Sequence, residues 1–387
     1  MLTKNISFKN ISIKIDNSQV SKNLKFLLKE NLPLLDSLKK SYKYSYSKKL
    51  VLELKKFSNI RIIAMGGSAL GANAIYSFLR NKIKKKFFFV NNLNINSNYF
   101  LNKKKTKNLN LIISKSGNTL ETIINANILI KKNDRNIFIT EKKNNYLRNI
   151  GLQMKAEILE HKNFIGGRYS VLSEVGMLPA ELMGLDEKKF KQLNYLIKNK
   201  TFIHNLINNV SSTLAMLKEK KSTSIILNYD EQSEDLFKWY QQLIAESLGK
   251  KSKGILPVIS SMPADNHSLM QFYLDGPKNN FFTFFSVKEQ NTKKINNNTI
   301  LPSHHYLINK DIYKIMTSQR QATETVFKKK KIPFRSFEIL RRDEKTLGEL
   351  FCFFILETIL LGRALNVNPF DQPSVELIKI ETKKLLI

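Results

Sequence analysis

Two polar loops contain the residue types that hold a phosphate group. Gly66–Ser68 follows the apolar run Ile60–Met65 and precedes a helical pattern. Ser114–Thr119, with the sequence SKSGNT, follows the run Leu109–Ile113 and precedes a second helical pattern. Glycine permits a tight turn, and the N–H groups at a helix N-terminus favour an anion. Because the Walker A spacing is absent, we expect a sugar monophosphate rather than a nucleotide.

Each loop also has a purely structural interpretation. Gly66–Ser68 is also typical of a plain turn between a strand and a helix. In the second loop, Ser116 or Asn118 could cap the following helix, with Glu121 nearby to complete a capping box. Capping and phosphate binding are compatible. Both loops follow neighbouring strands, and open α/β sheets bind ligands at the carboxyl ends of their strands, which favours the binding interpretation.

An arginine and a glutamate could carry out acid–base chemistry on a sugar. Arg168 stands in the sequence GGRYS, where glycines let the backbone approach a ligand and the guanidinium could stabilise an enediolate. Gln242 and Glu246 are four residues apart and share a mostly apolar helix face. A partly desolvated carboxylate is more basic, as proton abstraction from carbon requires. The alternatives are a surface arginine and an exposed Glu246 paired with Lys250.

His267 and Lys379 are weaker candidates. Histidine titrates near neutral pH and suits proton transfer to a ring oxygen, although a single histidine is more often a structural donor. Lys379 lies on a terminal helical pattern that Asp371 or Ser374 could cap, and lysine is common throughout the chain. We expect no metal site, because the adjacent pair His304–His305 points apart.

Apolar runs and helical patterns alternate along most of the chain, which favours doubly wound parallel sheets. The predicted strands are Ile60–Met65, Phe87–Val90, Leu109–Ile113, Ile137–Thr140, Ala156–Leu159, Ser224–Tyr229, Ile255–Ile259, Phe281–Phe285 and Phe334–Leu340. The predicted helices include Ala72–Lys82, Thr119–Lys131, Asp235–Leu248, Leu347–Ala364 and Val375–Leu386.

The alternating pattern begins again near Ser222, so we predict two α/β units. We divide the chain into an N-terminal helical segment (1–50), a first α/β domain (51–190), a second (191–365), and a C-terminal helix (366–387) that completes the active site. A helical stretch at about 171–215 joins the two units.

Composition excludes several classes of protein. The 387 residues are 42% hydrophobic, enough for a sizeable core, and no apolar run approaches a membrane span of about 20 residues. One cysteine, Cys352, permits no intrachain disulfide, and the N-terminus has no signal-peptide core, so we expect a cytoplasmic protein. The net charge of +32 comes from lysines spread over the chain. AT-rich codons suffice to explain it, so we expect no nucleic-acid partner, although the field would attract sugar phosphates.

In this order, the motifs resemble the phosphoglucose isomerase family over about residues 59–379. The sequence GGRYS and the pattern FDQxxVExxK at 370–379 are quite specific, whereas SKSGxT is shared more widely with sugar-isomerase (SIS) domains. The resemblance implies two SIS-type α/β domains flanked by helices, a homodimer and no cofactor. It also implies interconversion of glucose 6-phosphate and fructose 6-phosphate.

The resemblance further implies a role for each candidate. Glu246 resembles the base that moves a proton between C2 and C1, and Arg168 resembles the enediolate stabiliser. His267, supplied by the other subunit, and Lys379 resemble the pair that opens the ring. The expected substrate-binding residues are Gly67, Ser68, Ser114, Lys115, Ser116, Thr119, Gly167, Gln242 and Gln372, of which Ser114, Ser116 and Thr119 cradle the phosphate.

The chain departs from the family pattern in a few places. It is shorter than most members, Ser374 stands where Gly or Ala is usual, and Asn266 stands where related bacterial enzymes often have Gln. These departures concern fine positioning. Three other functions are considered: a sugar-phosphate sensor without turnover, an isomerase that also accepts mannose 6-phosphate or an amino sugar, and a nucleic-acid binder. A sensor would not need Glu246, His267 and Lys379 together, and an amino-sugar synthase would need an N-terminal catalytic cysteine.

Overall fold

The computed structural model describes residues 1–30, 32–94, 108–290 and 292–387, and its strands form two sheets. The fold is mixed α/β with parallel sheets, as the sequence predicted. The strands are β1 Ile6–Lys9, β2 Asn59–Ala64, β3 Lys86–Val90, β4 Leu109–Ile113, β5 Arg135–Thr140, β6 Glu157–Glu160, β7 Thr223–Asn228, β8 Leu256–Ser261, β9 Asn280–Val287 and β10 Phe334–Ile339.

Helices surround both sheets. They are α1 Ser18–Lys29, α2 Lys48–Leu54, α3 Gly67–Phe78, α4 Leu120–Leu129, α5 Tyr146–Gln153, α6 Glu174–Leu182, α7 Leu193–Leu196, α8 Lys200–Lys218, α9 Glu234–Leu248, α10 Met270–Asp275, α11 Ile312–Lys329, α12 Glu344–Ala364 and α13 Val375–Leu385. Short 3₁₀ turns connect several of them, including Gly167–Leu172 and Ala264–His267.

The first sheet is parallel and has the order β3-β2-β4-β5-β6. Its inner strands are apolar and buried, because helices cover both faces. From β2 the chain crosses to β3, which pairs with one edge of β2, and it then crosses back to β4, which pairs with the other edge of β2. The connections therefore leave β2 and β4 in opposite directions, which opens a crevice at the carboxyl ends of these two strands.

The second sheet has the order β1-β10-β9-β7-β8 and contains one antiparallel edge strand. Strand β1 pairs with β10, with Ile6 opposite Ile339, and the ring centroids of Phe8 and Phe337 are 4.6 Å apart. The prediction that residues 1–50 form a purely helical segment is therefore wrong at Ile6–Lys9. Pairing and aromatic packing against a strand more than 320 residues away stabilise this short segment, and no local pattern could show them.

The position of α9 is set by its packing against two other helices. Helix α12 is buried from Leu347 to Gly362 and is mostly apolar, as expected of a helix inside a large core. Its buried carboxylates are paired, Glu349 with Thr3 and Glu357 with Arg335. Helix α9 packs against both α12 and α3. Since α3 begins at the carboxyl end of β2, α9 is held beside the crevice of the first sheet.

The start of α3 differs from the sequence prediction. It begins at Gly67, five residues before the predicted Ala72, because Gly66 has a φ of +50° and turns the chain directly from β2 into the helix. The N-terminus of α3 is therefore formed by Gly66–Ser68 itself. Helix α11 was not predicted, because its many polar and charged residues obscure the apolar face.

Candidate active site

The segment Gly66–Ser68 contacts the segment that contains Arg168. A Cβ atom on Gly67 would lie 2.3 Å from the carbonyl carbon of Gly167 and 2.4 Å from the amide nitrogen of Arg168. A Cβ atom on Gly66 would lie 2.9 Å from Nε2 of Gln242. Only glycine permits this approach of three chain segments, which are far apart in the sequence.

The Arg168 side chain is buried and rigidly held. Its Nε donates to Ser247 Oγ at 2.8 Å, and one terminal nitrogen donates to Gln372 Oε1 at 2.9 Å. The other terminal nitrogen donates to the carbonyl oxygens of Pro369 at 2.7 Å and Asp371 at 3.0 Å. The guanidinium thus joins α9 to the segment before α13, and the surface-arginine interpretation is wrong.

Glu246 is the carboxylate at this cluster. Its Oε1 lies 3.1 Å from the Arg168 guanidinium, and its Oε2 accepts a hydrogen bond of 2.8 Å from Gln242 Nε2. The Glu246 side chain is 23% exposed, so it is reachable from outside, whereas Arg168 behind it is not. A carboxylate in this position can exchange a proton with a ligand, and the buried guanidinium beside it can offset negative charge that develops on that ligand.

The alternative pairing of Glu246 with Lys250 does not occur. Lys250 lies beyond the end of α9, and its Nζ instead contacts Asp371 Oδ1 at 2.7 Å. The hydrogen bond from Lys250 lowers the pKa of Asp371. This pair holds the segment that supplies Gln372 and the Asp371 carbonyl to Arg168.

The loop Ser114–Thr119 lies at the carboxyl end of β4, next to the end of β2. Ser114 Oγ and Thr119 Oγ1 are 2.8 Å apart, and the amide nitrogen of Gly117 donates to Ser114 Oγ at 3.2 Å. Gly117 has a φ of +67°, and a Cβ atom there would lie 1.8 Å from Asn145 Oδ1. The hydroxyl groups are therefore gathered at the start of α4, where an anion is favoured.

The capping alternative for this loop is wrong. Thr119, not Ser116 or Asn118, precedes α4, and its side chain makes no capping hydrogen bond. Ser116 Oγ instead accepts from the amide nitrogen of Asn118 at 3.2 Å. Lys115 Nζ lies 3.6 Å from Glu141 Oε1, so its ammonium group forms an ion pair with the residue that follows β5.

His267 and Lys379 are not brought to the cluster within one chain. His267 is exposed in the 3₁₀ turn after β8. Lys379 Nζ pairs with Glu376 Oε1 at 2.6 Å on the exposed helix α13. No hydrogen bond or ion pair in the described part of the chain joins either residue to Glu246 or Arg168.

Ser247 and Tyr169 belong to the site but were not predicted. Ser247 is fully buried and accepts from Arg168 Nε, and the Tyr169 hydroxyl donates to the Pro369 carbonyl at 3.0 Å. Burial raises the pKa of Tyr169, so this donor keeps its proton. Both residues stand directly beside predicted ones, in GGRYS and in AES, and adjacency was the only signal in the sequence.

Neither a metal-binding cluster nor a membrane-spanning helix is found in residues 1–30, 32–94, 108–290 and 292–387. Within these ranges, no group of three or more His, Cys, Asp or Glu side chains is arranged to hold a metal ion. In the same ranges, no helix is long and apolar enough to cross a membrane.

Comparisons with known proteins agree with this architecture. Two relatives are each 32% identical to the chain over the aligned residues. They are a probable glucose-6-phosphate isomerase of Methanococcus maripaludis, with 96% of this chain and 89% of the relative aligned, and a glucose-6-phosphate isomerase of Methanocaldococcus jannaschii, with 86% and 84% aligned. A hypothetical protein of Thermus thermophilus superposes with a TM-score of 0.81 at 22% identity, over 96% of this chain and 94% of that one. A glucose-6-phosphate isomerase of Chlamydia trachomatis superposes with a TM-score of 0.66 at 18% identity, over 87% and 71%. The family model "Phosphoglucose isomerase" matches residues 34–386, so the chain belongs to the phosphoglucose isomerase family.

Proposed function

We propose that this protein is an aldose–ketose isomerase that interconverts glucose 6-phosphate and fructose 6-phosphate through a cis-enediol intermediate. Family membership and the printed names of the relatives support this activity. The observation that carries the proposal is the contact of 3.1 Å between the reachable Glu246 carboxylate and the buried Arg168 guanidinium. Proton transfer between two carbons needs both a base and a stabilised oxyanion, and these two groups supply them.

In this mechanism, Glu246 takes the proton from C2 of the open-chain aldose and returns it to C1. The electrons of the C2–H bond form the C1–C2 double bond, and the C1 carbonyl oxygen becomes negatively charged. Arg168 offsets this charge, and Gln242 holds the second oxygen of Glu246 at 2.8 Å so that the carboxylate stays oriented. When the proton returns to C1, the electrons of the C1–C2 double bond form the new C1–H bond. The proton of the C2 hydroxyl group passes to the C1 oxygen, and C2 becomes the carbonyl carbon of the ketose. The reverse sequence converts the ketose into the aldose.

The remaining candidates hold the substrate in the proposal. Ser114, Ser116 and Thr119 bind the phosphate at the start of α4, and Lys115 adds a positive charge beside them. Gly67, Ser68 and Gly167 bring backbone groups to the sugar. Gln242 and Gln372 flank the sugar, and both already contact the catalytic pair.

We assign ring opening to His267 and Lys379 in a homodimer, with His267 supplied by the partner subunit. The exposure of α13 supports an assembly: Leu377, Ile378 and Ile380 are 67%, 70% and 52% exposed. A helix of 11 residues is marginal in water without packing, so this helix needs a surface to cover it. The buried, unpaired thiol of Cys352 is compatible with a cytoplasmic protein, which we also propose.

A coupled assay tests the activity and its base together. Purified protein is given fructose 6-phosphate, and glucose 6-phosphate is followed through its NADP-linked dehydrogenase. Glu246→Gln keeps the side-chain shape but removes the base, so turnover should fall by about 10²–10⁴. Glu234→Gln is the matched control, because Glu234 lies on the same helix and pairs with the surface residue Lys238.

Other outcomes would point elsewhere. Near-normal turnover in Glu246→Gln would remove Glu246 from the mechanism. No turnover in the unmodified protein, with fructose 6-phosphate still raising the melting temperature, would support a sugar-phosphate sensor instead.

A further inference from the structure

The second sheet has a cavity at the position that corresponds to the active-site crevice of the first sheet. Strand β7 lies between β8 and β9, as β2 lies between β3 and β4. A cavity of about 320 Å³ opens at the carboxyl ends of β7 and β9. The connections diverge here as well, which is where open α/β sheets bind ligands. The volume is within the range of small-molecule sites.

Among the residues that line this cavity, three polar atoms lack a hydrogen-bond partner within the described chain. They are Ser286 Oγ, Arg320 Nε and Gln232 Oε1, and all three are buried. The residues Ser286 and Arg320 are only 9% and 7% exposed. A buried donor or acceptor without a partner costs about 1–3 kcal/mol, so a bound molecule that pairs with these atoms would recover this cost.

The walls of the cavity are fixed by ion pairs. Arg342 contacts Asp230 at 2.7 Å and Glu289 at 2.6 Å, and so holds the loops after β7 and β9 together. Arg320 is held by Glu324 at 2.7 Å. The site is therefore organised before any ligand arrives, which lowers the entropic cost of binding.

The charges at the cavity decide the class of ligand. After β2 the chain offers Gly66–Ser68 to an anion, but after β7 it presents the carboxylates of Asp230 and Glu231 at the start of α9. With Glu289, the lining has three carboxylates against the one guanidinium of Arg320, which is itself paired with Glu324. Arg342 pairs with Asp230 and Glu289 but leaves an excess of negative charge, which disfavours a phosphate. A hydroxyl group, in contrast, can donate to Gln232 Oε1 and accept from Arg320 Nε, and it carries no charge.

We propose that this cavity is a second ligand site, which binds an uncharged polyhydroxy compound such as a free sugar or a sugar alcohol. It is separate from the candidate active site, which is built on the first sheet. The proposal rests on the cavity, its unpartnered polar atoms and its acidic rim, and does not depend on the isomerase activity.

Saturation-transfer NMR with sorbitol as the probe tests the proposal on the full-length protein. Sorbitol has no carbonyl group and cannot be isomerised. We expect a saturable signal that persists when fructose 6-phosphate is present in excess to occupy the first sheet's crevice. Inorganic phosphate should not compete, because the rim of the cavity is acidic.

Variants locate the bound sorbitol. The double variant Ser286→Ala/Gln232→Met removes two hydrogen-bonding groups with little change in side-chain volume, so the dissociation constant should rise at least about tenfold. Ser224→Ala is the matched control: Ser224 Oγ is also buried and lacks a hydrogen-bond partner among the described residues, but Ser224, on the adjacent strand β7, does not line the cavity. Melting temperatures verify that all variants fold.

Each contrary result overturns the proposal in a different way. Loss of the sorbitol signal on adding fructose 6-phosphate would place sorbitol in the first crevice. Equal binding by the double variant and the control would exclude the cavity. Absence of any signal would mean that water alone satisfies the three atoms, and competition by phosphate would exclude the ligand class.

Discussion

The five N–H donors of Arg168 explain why arginine rather than lysine stands at this position. Its planar fork reaches Ser247, Gln372 and the carbonyl oxygens of Pro369 and Asp371, and one nitrogen also lies 3.1 Å from Glu246. An ammonium group has three donors on a flexible stem and cannot span these acceptors. The charge beside Glu246 is therefore positioned by contacts with two distant parts of the chain.

Arg168→Lys keeps the charge but loses this positioning. We expect kcat for fructose 6-phosphate to fall by about 10²–10³, as when one oxyanion-stabilising donor is removed, with a smaller change in KM. Steady-state kinetics of the purified variant provide the measurement. Arg341→Lys, on an exposed side chain paired with Asp343, is the control and should retain normal kinetics. Unchanged kcat in Arg168→Lys, in a protein that melts normally, would contradict the proposed role.

At the residue scale, the sequence indicates which side chains belong to the candidate site better than it indicates which groups they contact. Arg168, Gln242 and Glu246 stand out because glycines or helical spacing surround them, and the structure brings these three together. Ser247 and the Pro369 carbonyl do not stand out. Their importance comes only from contacts with Arg168, which is 79 and 201 residues away in the sequence.

At the element scale, a buried lysine ties the turn that contains Arg168 to the N-terminal segment. Lys191 Nζ donates to the carbonyl oxygens of Leu172, at the end of the 3₁₀ turn Gly167–Leu172, and of Ser37 at 2.6 Å. It also lies 5.0 Å from the ring centroids of Tyr42 and Tyr44. The N-terminal segment thus supports the turn from behind, and burial lowers the pKa of Lys191 to about 7.

This pKa predicts how stability depends on pH. In the unfolded chain the Lys191 side chain has a pKa of about 10.4, whereas in the folded chain its pKa is about 7. Between these values the unfolded state holds more protons, so the free energy of unfolding rises with pH, by up to about 1.4 kcal/mol per unit. Chemical denaturation of the wild type and of Lys191→Met at several pH values from 6.5 to about 10 measures the difference.

The variant isolates this contribution. Lys191→Met should lose the rise that Lys191 causes, whereas Lys188→Met, on an exposed residue three positions earlier, should keep it. The same pH dependence in the wild type and Lys191→Met would show that Lys191 is not neutralised on folding.

Elements were predictable where their pattern is long and strongly apolar. Strand β4 and the C-terminal end of α12 match the predicted bounds, because their buried apolar residues are followed directly by polar ones in the sequence. Strand β1 was missed because four residues define no period, and its stability comes from β10. Helix α11 was missed because lysine, glutamine and threonine cover most of its surface, which weakens the 3.6-residue pattern.

At the scale of the whole molecule, the order of the motifs in the sequence identifies the family. Where the motif residues come into contact depends on the fold. Helix α9 of the second half brings Gln242 and Glu246 to loops of the first half, and the segment before α13 closes over Arg168. The division of the chain into domains at 51–190 and 191–365 stays a prediction. Neither His267 nor Lys379 reaches this point in one chain, and this motivates the homodimer.

Mixing two inactive variants tests whether His267 acts across a subunit interface. His267→Ala and Glu246→Gln should each have low activity as homodimers. When two differently tagged copies are co-expressed, random pairing gives heterodimers in about half of the molecules. In each heterodimer, one site combines Glu246 from one chain with His267 from the other and should be intact. The mixture should therefore recover about a quarter of wild-type activity, and the isolated heterodimer about half.

The result separates two arrangements of the same residues. If His267 served the site of its own chain, each heterodimer would contain two defective sites, and mixing would give only the average of the two variants. A matched pairing of His267→Ala with His304→Ala provides the reference. His304 is an exposed histidine whose ring contacts Ser303 and Tyr306, close by in the sequence, so this heterodimer also has one intact site. Equal activity of the two purified heterodimers would establish that the active site is completed by the partner subunit.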